Sequence, residues 1–583
     1  MKQDWKGWRA ELTSWAVIMT LLCTCLCAGF LNIYGISVGV PSKERLDVSL
    51  GGSEGVEKGF PVIQQALSSK ISDRSEFLET EKRSDLAVAS PYFDQLRSFY
   101  PDEGYVLKVL GRMARDKDPL PRSYIYGPFF TYQIGAGVAV ARMCGFLSGG
   151  TDVVLYMKHP DQFAPAYLAA RLVCTTCGVI AVMVTFLIGL RLGGLWFGTV
   201  SAGLLACLPM AVFAGKYVKS DAPAMCWATL ALLFAIPVLA RTRWKDYLLS
   251  GFCVGLAAGC KYPAAIAGIY LAVFHISKRL TDSIQTKRFS FQGCDLKLIG
   301  GGLASIVAFA VSCPSCLLDC QVFWKDILWT SVAMEASFLD NFVSFIHETF
   351  THTIGPFAFI ASVCGIVLAF IRPHMAWTAM AMAFLGYGAF VCLGSSDKDY
   401  YLLTVYPAMC LLAARAILWP GNSAIRVITC AIVLLGTFSY SLAYCLCAAS
   451  ENPRVTAARW MNENLPAGSS IGSWQYPVGY RIPMVSPTRY VLISADFNPG
   501  ALQADYFVEG SWEWKPLSCR ERFHGKNNLD NPLLRGYTPL KIFETPPLAF
   551  FGLLPLSHDR RLSPFIEVVS PRFVIYKKTS IEL

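Results

Sequence analysis

Charge is what this 583-residue chain has little of: Asp, Glu, Lys and Arg make up 16% of it, where an ordinary globular domain carries roughly 25%. Histidine is scarcer still, at 7 residues. With 54% hydrophobic residues and a mean hydropathy of +0.43, this excludes a soluble single-domain fold and a disordered chain. Several uncharged runs reach ~18 residues or more, enough to cross a hydrocarbon core about 30 Å thick, which excludes a porin-like barrel and predicts a polytopic helical membrane protein. Also missing are a Gly-rich phosphate loop and a dinucleotide fingerprint, so no nucleotide site is expected. No internal repeat is evident, and an inverted-repeat transporter gains no support from that source.

Cysteine, in contrast, is plentiful. Most of the 21 lie inside apolar runs (Cys23, Cys25, Cys27, Cys174, Cys177, Cys207, Cys226), where a thiol acts as a small hydrophobe. Cys313, Cys316 and Cys320 have CxxC spacing at the end of a run, which leaves a disulfide or a metal site open beside plain packing. The net charge of +10 (51 basic minus 41 acidic residues) is assigned to the positive-inside bias of membrane proteins rather than to nucleic acid.

The first apolar run, Trp15 to Tyr34, follows Lys2, Lys6 and Arg9 without a small-residue cleavage site, and is read as a retained signal anchor. Later runs are 165–190, 195–214, 222–240, 247–260, 262–276, 298–318, 354–371, 375–394, 400–419 and 427–447, giving about eleven spans. Segment 127–141 is apolar but too short to span comfortably, and is expected to be a juxtamembrane helix. The short inner loops then hold Lys2, Lys6, Arg9, Arg191, Arg241, Arg243, Lys245, Lys278, Arg279, Lys287, Arg288, Lys297, Arg372 and Arg426, against Lys216, Lys219, Lys261, Lys325 and Lys398 outside. Counting 127–148 as a span would invert the basic loops 241–246 and 277–297.

The expected organisation is an all-α transmembrane domain over 1–447, including an outer loop over 36–164, and a small α/β or β-rich outer domain over 448–583. The stretch from Lys43 to Arg97 is charge-rich and is expected to be partly disordered. Beyond 448, the β-branched runs Tyr490 to Ile493 and Phe573 to Tyr576 read as strands.

With that topology the unusual ionisable residues gather at the outer surface. Asp102 and Glu103 stand side by side in the first outer loop, before an amphipathic segment from Val106 to Met113. Asp221 opens a span after Lys216 and Lys219; Lys261 interrupts an apolar stretch, predicting two short helices that meet there; Arg171 lies within a span. Asp397, Lys398, Asp399, Tyr400 and Tyr401 begin another span, and His347, Glu348 and His352 lie in the loop 319–353. Each has a plain structural alternative. Asp102 and Glu103 suit a solvated loop pair, Asp221 before Ala222-Pro223 suits a helix cap, and Lys261 suits snorkelling to headgroups. Together they fit a site of carboxylates and cations beside the membrane.

Such a set suits one chemistry well. A lipid-phosphate sugar donor would lie with its tails between helices and its phosphate at the interface; a carboxylate would take the acceptor hydroxyl's proton while a cation stabilises the departing phosphate. Asp102 is assigned as base, Lys261 or Arg171 to phosphate, and Asp221 or Glu103 to orientation or to a divalent metal ion.

In this order the residues resemble the membrane-embedded GT-C glycosyltransferases, specifically the superfamily of protein O-mannosyltransferases and the lipid A aminoarabinose transferase. The resemblance covers most of 1–480. It is carried by Pro101-Asp102-Glu103, Tyr126-Gly127-Pro128, Ala169-Ala170-Arg171-Leu172, Asp221, and Gly255-Leu256-Ala257-Ala258-Gly259-Cys260-Lys261-Tyr262. Lys398 with Tyr400-Tyr401-Leu402 and Pro407, Thr456 to Trp460, and Asn464 to Gly468 extend it. It implies a polyprenyl-phosphate sugar donor, a glycan, lipid or protein acceptor, juxtamembrane helices, and a multi-pass protein of the bacterial inner membrane whose site and C-terminal domain are extracytoplasmic. It also implies Asp102 as catalytic residue, Lys261 as phosphate contact, and Arg171, Tyr126, Lys398 and Tyr401 as substrate contacts. The chain departs from the aminoarabinose branch at Tyr126-Gly127-Pro128, where that branch has Glu-Lys-Pro, and has no His-x-x-Arg in 319–353. The alternatives are a transporter and a non-catalytic membrane scaffold; a transporter more often places ionisable residues near mid-bilayer.

Overall fold

Pro209 interrupts what reads as one apolar run, and the computed structural model of the protein shows the consequence. Leu195–Cys207 and Pro209–Lys216 are separate helices bent by 62° at Leu208, because a proline mid-helix has no N–H and clashes with the turn before it. The Cys207 carbonyl at the break accepts a hydrogen bond from Ser441 Oγ at 2.6 Å. The structure describes residues 14–68, 90–147, 150, 152–286, 295–332, 342, 346, 353–394, 399–474, 479, 481–495, 499–510, 534, 536–545, 548–549, 554–555 and 569–579.

This is a multi-pass membrane protein, overwhelmingly helical, with a small C-terminal sheet. Among the described residues six helices are long and apolar enough to cross a membrane: Trp15–Ile33, Pro160–Gly193, Asp221–Leu239, Asp295–Ser312, Met375–Leu393 and Ser423–Asn464. The bent pair makes a seventh if it counts as one span, and Gly355–Ile371 and Tyr401–Ile417 are shorter apolar helices. The segment expected to lie along the interface is the 16-residue helix Pro128–Met143.

Contacts divide the chain into two compact units: Met1–Tyr34, Asp116–Gly137 and Ala170–Leu442 in the first, Gly35–Arg115, Val138–Ala169 and Ala443–Leu583 in the second. In the first unit, Gly251, Gly255 and Gly259 form a stripe at four-residue spacing on the Trp244–Cys260 helix. It lets the Asp295–Ser312 helix approach so closely that a Cβ at Gly251 would lie 1.9 Å from the Gly301 carbonyl oxygen, and one at Gly255 2.2 Å from that of Ser305. Gly255→Val therefore forces two backbones apart. It should lower the melting temperature of the purified protein by an amount equivalent to roughly 1–3 kcal/mol; an unchanged melting temperature would mean that the helices do not pack through this stripe.

The second unit ties the first outer loop to the C-terminal region. Lys43–Leu50, Ser53–Lys58 and Phe60–Ser68 are helices, so the expected disorder does not hold for 43–68; 69–89 lies outside the described residues. Leu46, Leu50, Val56 and Ile63 share an apolar core with Tyr92 and Met157, and the first helix also meets partners distant in sequence: Arg459 pairs with Glu44 at 2.6 Å, and Asn462 Nδ2 donates to the Val48 carbonyl at 2.7 Å. The C-terminal sheet contains β1 (Ser470–Ser473), β2 (Val491–Ser494), β3 (Tyr506–Gly510), β4 (Tyr537–Phe543) and, after the two-residue strands β5 (Leu548–Ala549) and β6 (Leu554–Pro555), β7 (Phe573–Lys578). The order is β2-β1-β3-β7-β4, with β1 parallel to β2 and β3, and β7 antiparallel to β3 and β4. Its core joins Ile471, Val508 and Ile575 to Met461 and Leu465 of the helix before β1.

Candidate active site

Asp221 begins a helix in the first unit and is almost wholly buried, at 3% exposure, which would cost several kcal/mol for an unpaired carboxylate. It is not unpaired. Lys261 Nζ lies 2.5 Å from Oδ1 and Lys219 Nζ 3.6 Å from Oδ2. Lys261 occupies a non-helical break between Trp244–Cys260 and the 3-10 turn Tyr262–Ala267, as its interruption of the apolar stretch predicts, and its ammonium lies 4.0 Å from the centroid of the Tyr401 ring. Asp221, Lys261 and Tyr401 are thus brought together. Lys219, noted from sequence only as a neighbour, brings a second ammonium group to the same carboxylate.

Tyr126 reaches the same helix break through its backbone. Gly127 N–H donates to the Cys260 carbonyl at 3.3 Å, and a Cβ at Gly127 would stand 2.0 Å from the Gly259 oxygen, so only glycine fits there. Tyr262 Oη donates to the carbonyls of Tyr124 at 2.9 Å and Tyr126 at 3.4 Å. Arg171 is fully buried, its guanidinium 4.8 Å from the Tyr217 ring centroid. Lys216 is also buried and caps the first span, donating to the carbonyls of Leu31 at 3.0 Å, Asn32 at 3.4 Å, and Tyr34. Lys398, His347, Glu348 and His352 lie outside the described residues.

Asp102 and Glu103 belong to the second unit, and the structure corrects their setting. They occupy not an extended loop but the first turn of the helix Pro101–Asp116. Pro101 opens the helix and both carboxylates complement its N-terminal dipole. Glu103 is fully buried and accepts from Ser98 Oγ at 2.5 Å, while Ser98 Oγ accepts from the Tyr100 N–H at 3.2 Å. Asp102 is partly exposed and accepts from Tyr100 Oη at 2.8 Å through Oδ2. The helix therefore gives the two neighbours different surroundings: Glu103 is tied into the loop that precedes it, and Asp102 stays partly exposed.

That loop is firmly built. Phe99 carries the guanidiniums of Arg45 and Arg454 at 4.4 and 4.8 Å from its ring centroid, and its N–H donates to the Gly39 carbonyl at 3.1 Å. Arg45 donates to the carbonyls of Gly39 at 2.8 Å and Asp94 at 3.0 Å. Burial pulls its pKa down to about 10, with Asp94 and Tyr167 opposing, so it stays charged at neutral pH. Tyr167 Oη donates to the Leu96 carbonyl at 2.7 Å. None of Arg45, Ser98, Phe99 and Arg454 was singled out from sequence: Phe99 meets Arg45 and Arg454 only through the fold, while Ser98 has local partners whose geometry depends on the helix start at Pro101.

The near neighbours of Asp221 among the described residues are two ammonium groups, and among those residues no three His, Cys, Asp or Glu side chains form a group that could hold a metal ion. Cys313, Cys316 and Cys320 are free thiols, and Cys313 Sγ donates to the Gly259 carbonyl at 3.7 Å, which is packing chemistry.

No curated protein matches the chain. Among solved structures it is loosely similar to the oligosaccharyltransferase AglB of Archaeoglobus fulgidus in complex with an inhibitory peptide and a dolichol-phosphate, at 12% identity over 85% of this chain and 70% of that one, with a TM-score of 0.43. It is also loosely similar to ArnT of Cupriavidus metallidurans bound to undecaprenyl phosphate, at 14% identity over 86% and 98%, with a TM-score of 0.40. Residues 163–299, which hold Arg171, Asp221 and Lys261, match the family described as dolichyl-phosphate-mannose-protein mannosyltransferase, within the superfamily that the sequence resembles.

Proposed function

We propose that the protein is a membrane glycosyltransferase that moves a sugar from a polyprenyl-phosphate donor to an acceptor hydroxyl at the outer face of the membrane. The observation that carries this reading is the buried Asp221 cluster, where the ammonium groups of Lys261 and Lys219 both approach one carboxylate, lying within the segment that matches the family described as dolichyl-phosphate-mannose-protein mannosyltransferase. Two largely desolvated ammonium groups side by side suit a phosphate at the membrane interface.

In this mechanism Asp102 accepts the proton of the acceptor hydroxyl as its oxygen bonds to the anomeric carbon. The bond from that carbon to the phosphate oxygen breaks, and polyprenyl phosphate leaves, its new negative charge met by Lys261 and Lys219. Tyr100 orients the Asp102 carboxylate, Glu103 fixes the loop before it, and Asp221 holds the two lysines. No step is assigned to a metal ion.

Purified protein incubated with a panel of polyprenyl-phosphate sugars should release polyprenyl phosphate from at least one of them once an acceptor-containing membrane extract is added. Release from none, with the donors intact, would count against the reading. The orientation is checked separately: reporters fused after Lys245 and Gly500 should report the inner and the outer compartment, respectively. A cytoplasmic signal from the second would overturn an outer site.

A further inference from the structure

The Trp244–Cys260 and Asp295–Ser312 helices run parallel, since Trp244 meets Gly300, Gly251 meets Gly301 and Gly259 meets Ser312. Between them lies an apolar groove in which Gly300 and Ala304 supply the small residues, flanked by Leu248, Phe252, Leu303 and Val307. It extends over about 10 Å, the rise along the helix from residue 300 to residue 307 at about 1.5 Å per residue. Both helices begin at the same end, and that end is basic. Arg243 and Lys245 are exposed, and among the described residues neither has a carboxylate at ion-pair distance; Arg241, by contrast, pairs with Asp246 at 3.3 Å. Lys297 Nζ donates to the Thr242 carbonyl at 2.8 Å, which fixes the basic loop against the second helix. Trp244, half exposed between Arg243 and Lys245, marks the headgroup level as interfacial tryptophans do.

We propose that this groove holds one acyl chain of an anionic diacyl phospholipid whose phosphate sits against Arg243 and Lys245. Apolar walls alone would accept any lipid, and the unpaired cations at the rim select the charged headgroup. The groove is as long as the upper part of an acyl chain, and a polyprenyl carrier would leave most of its length outside it. The site lies apart from the Asp221 cluster and does not depend on the proposed transfer reaction.

The full chain in phosphatidylcholine nanodiscs, titrated with phosphatidylglycerol and read by native mass spectrometry for lipid retained on the protein, tests this. Wild type should retain phosphatidylglycerol in preference to phosphatidylcholine. The surface variant R243Q/K245Q should bind it roughly thirtyfold more weakly, each cation near a membrane surface contributing about a factor of five. Ala304→Phe, which fills the groove and leaves the rim charge intact, should also lose retention. Equal retention of the two lipids, or unchanged retention in either variant, would overturn the proposal. So would displacement of phosphatidylglycerol by an equal amount of polyprenyl phosphate, which would assign the groove to the carrier lipid.

Discussion

Asp102→Asn should lower turnover by about 10² to 10⁴, the range general-base assistance usually contributes, with donor binding largely retained. The amide is nearly isosteric and still accepts the hydrogen bond from Tyr100 Oη, so the helix start should survive while proton acceptance is lost. Glu103→Gln gives a different result because its carboxylate is buried against Ser98. An amide there weakens one charge-assisted hydrogen bond, so the expected effect is reduced stability, of about 1–3 kcal/mol, and a smaller loss of turnover. If Glu103→Gln abolished turnover at normal stability while Asp102→Asn stayed active, the two roles would be exchanged.

Lys261→Ala should weaken polyprenyl-phosphate binding by about 10- to 150-fold, since a desolvated cation on a phosphate contributes roughly 1.5 to 3 kcal/mol. Asp221 holds Lys261 and Lys219, so Asp221→Asn removes a competing anion together with the group that positions both lysines; binding should weaken by less than in Lys261→Ala, with a loss of stability beside it. Titration of polyprenyl phosphate against wild type and both variants in nanodiscs separates these effects. Unchanged affinity in Lys261→Ala would make Lys261 a structural cation, held by Asp221 and the Tyr401 ring.

The sequence carried the membrane class and the helix break at Lys261 well, because both follow from local composition: Lys261 ends an apolar run and the chain leaves the helix there, whereas the break at Pro209 lay hidden inside a run read as continuous. The two C-terminal β-branched runs also became strands, Val491–Ser494 and Phe573–Lys578. Partnership across distance was hidden. The helix Lys43–Leu50 is too polar to be read as ordered until Arg459 and Asn462 meet it from more than four hundred residues away. The Lys219 ammonium could be placed beside Asp221 only once the turn between two helices was known. The start of the Pro101–Asp116 helix was available in principle, since proline followed by two acidic residues is an N-terminal signature, but Gly104 inside the first turns obscured it.

Following the sugar itself tests the central claim most directly. Membranes supplied with a polyprenyl-phosphate donor carrying an isotope-labelled sugar should pass the label to an acceptor fraction, with polyprenyl phosphate formed in equal amount, when they contain the wild-type chain and not Asp102→Asn. Label that stays on the donor with wild type present, or moves equally well with Asp102→Asn, would contradict a lipid-phosphate transferase built on this site.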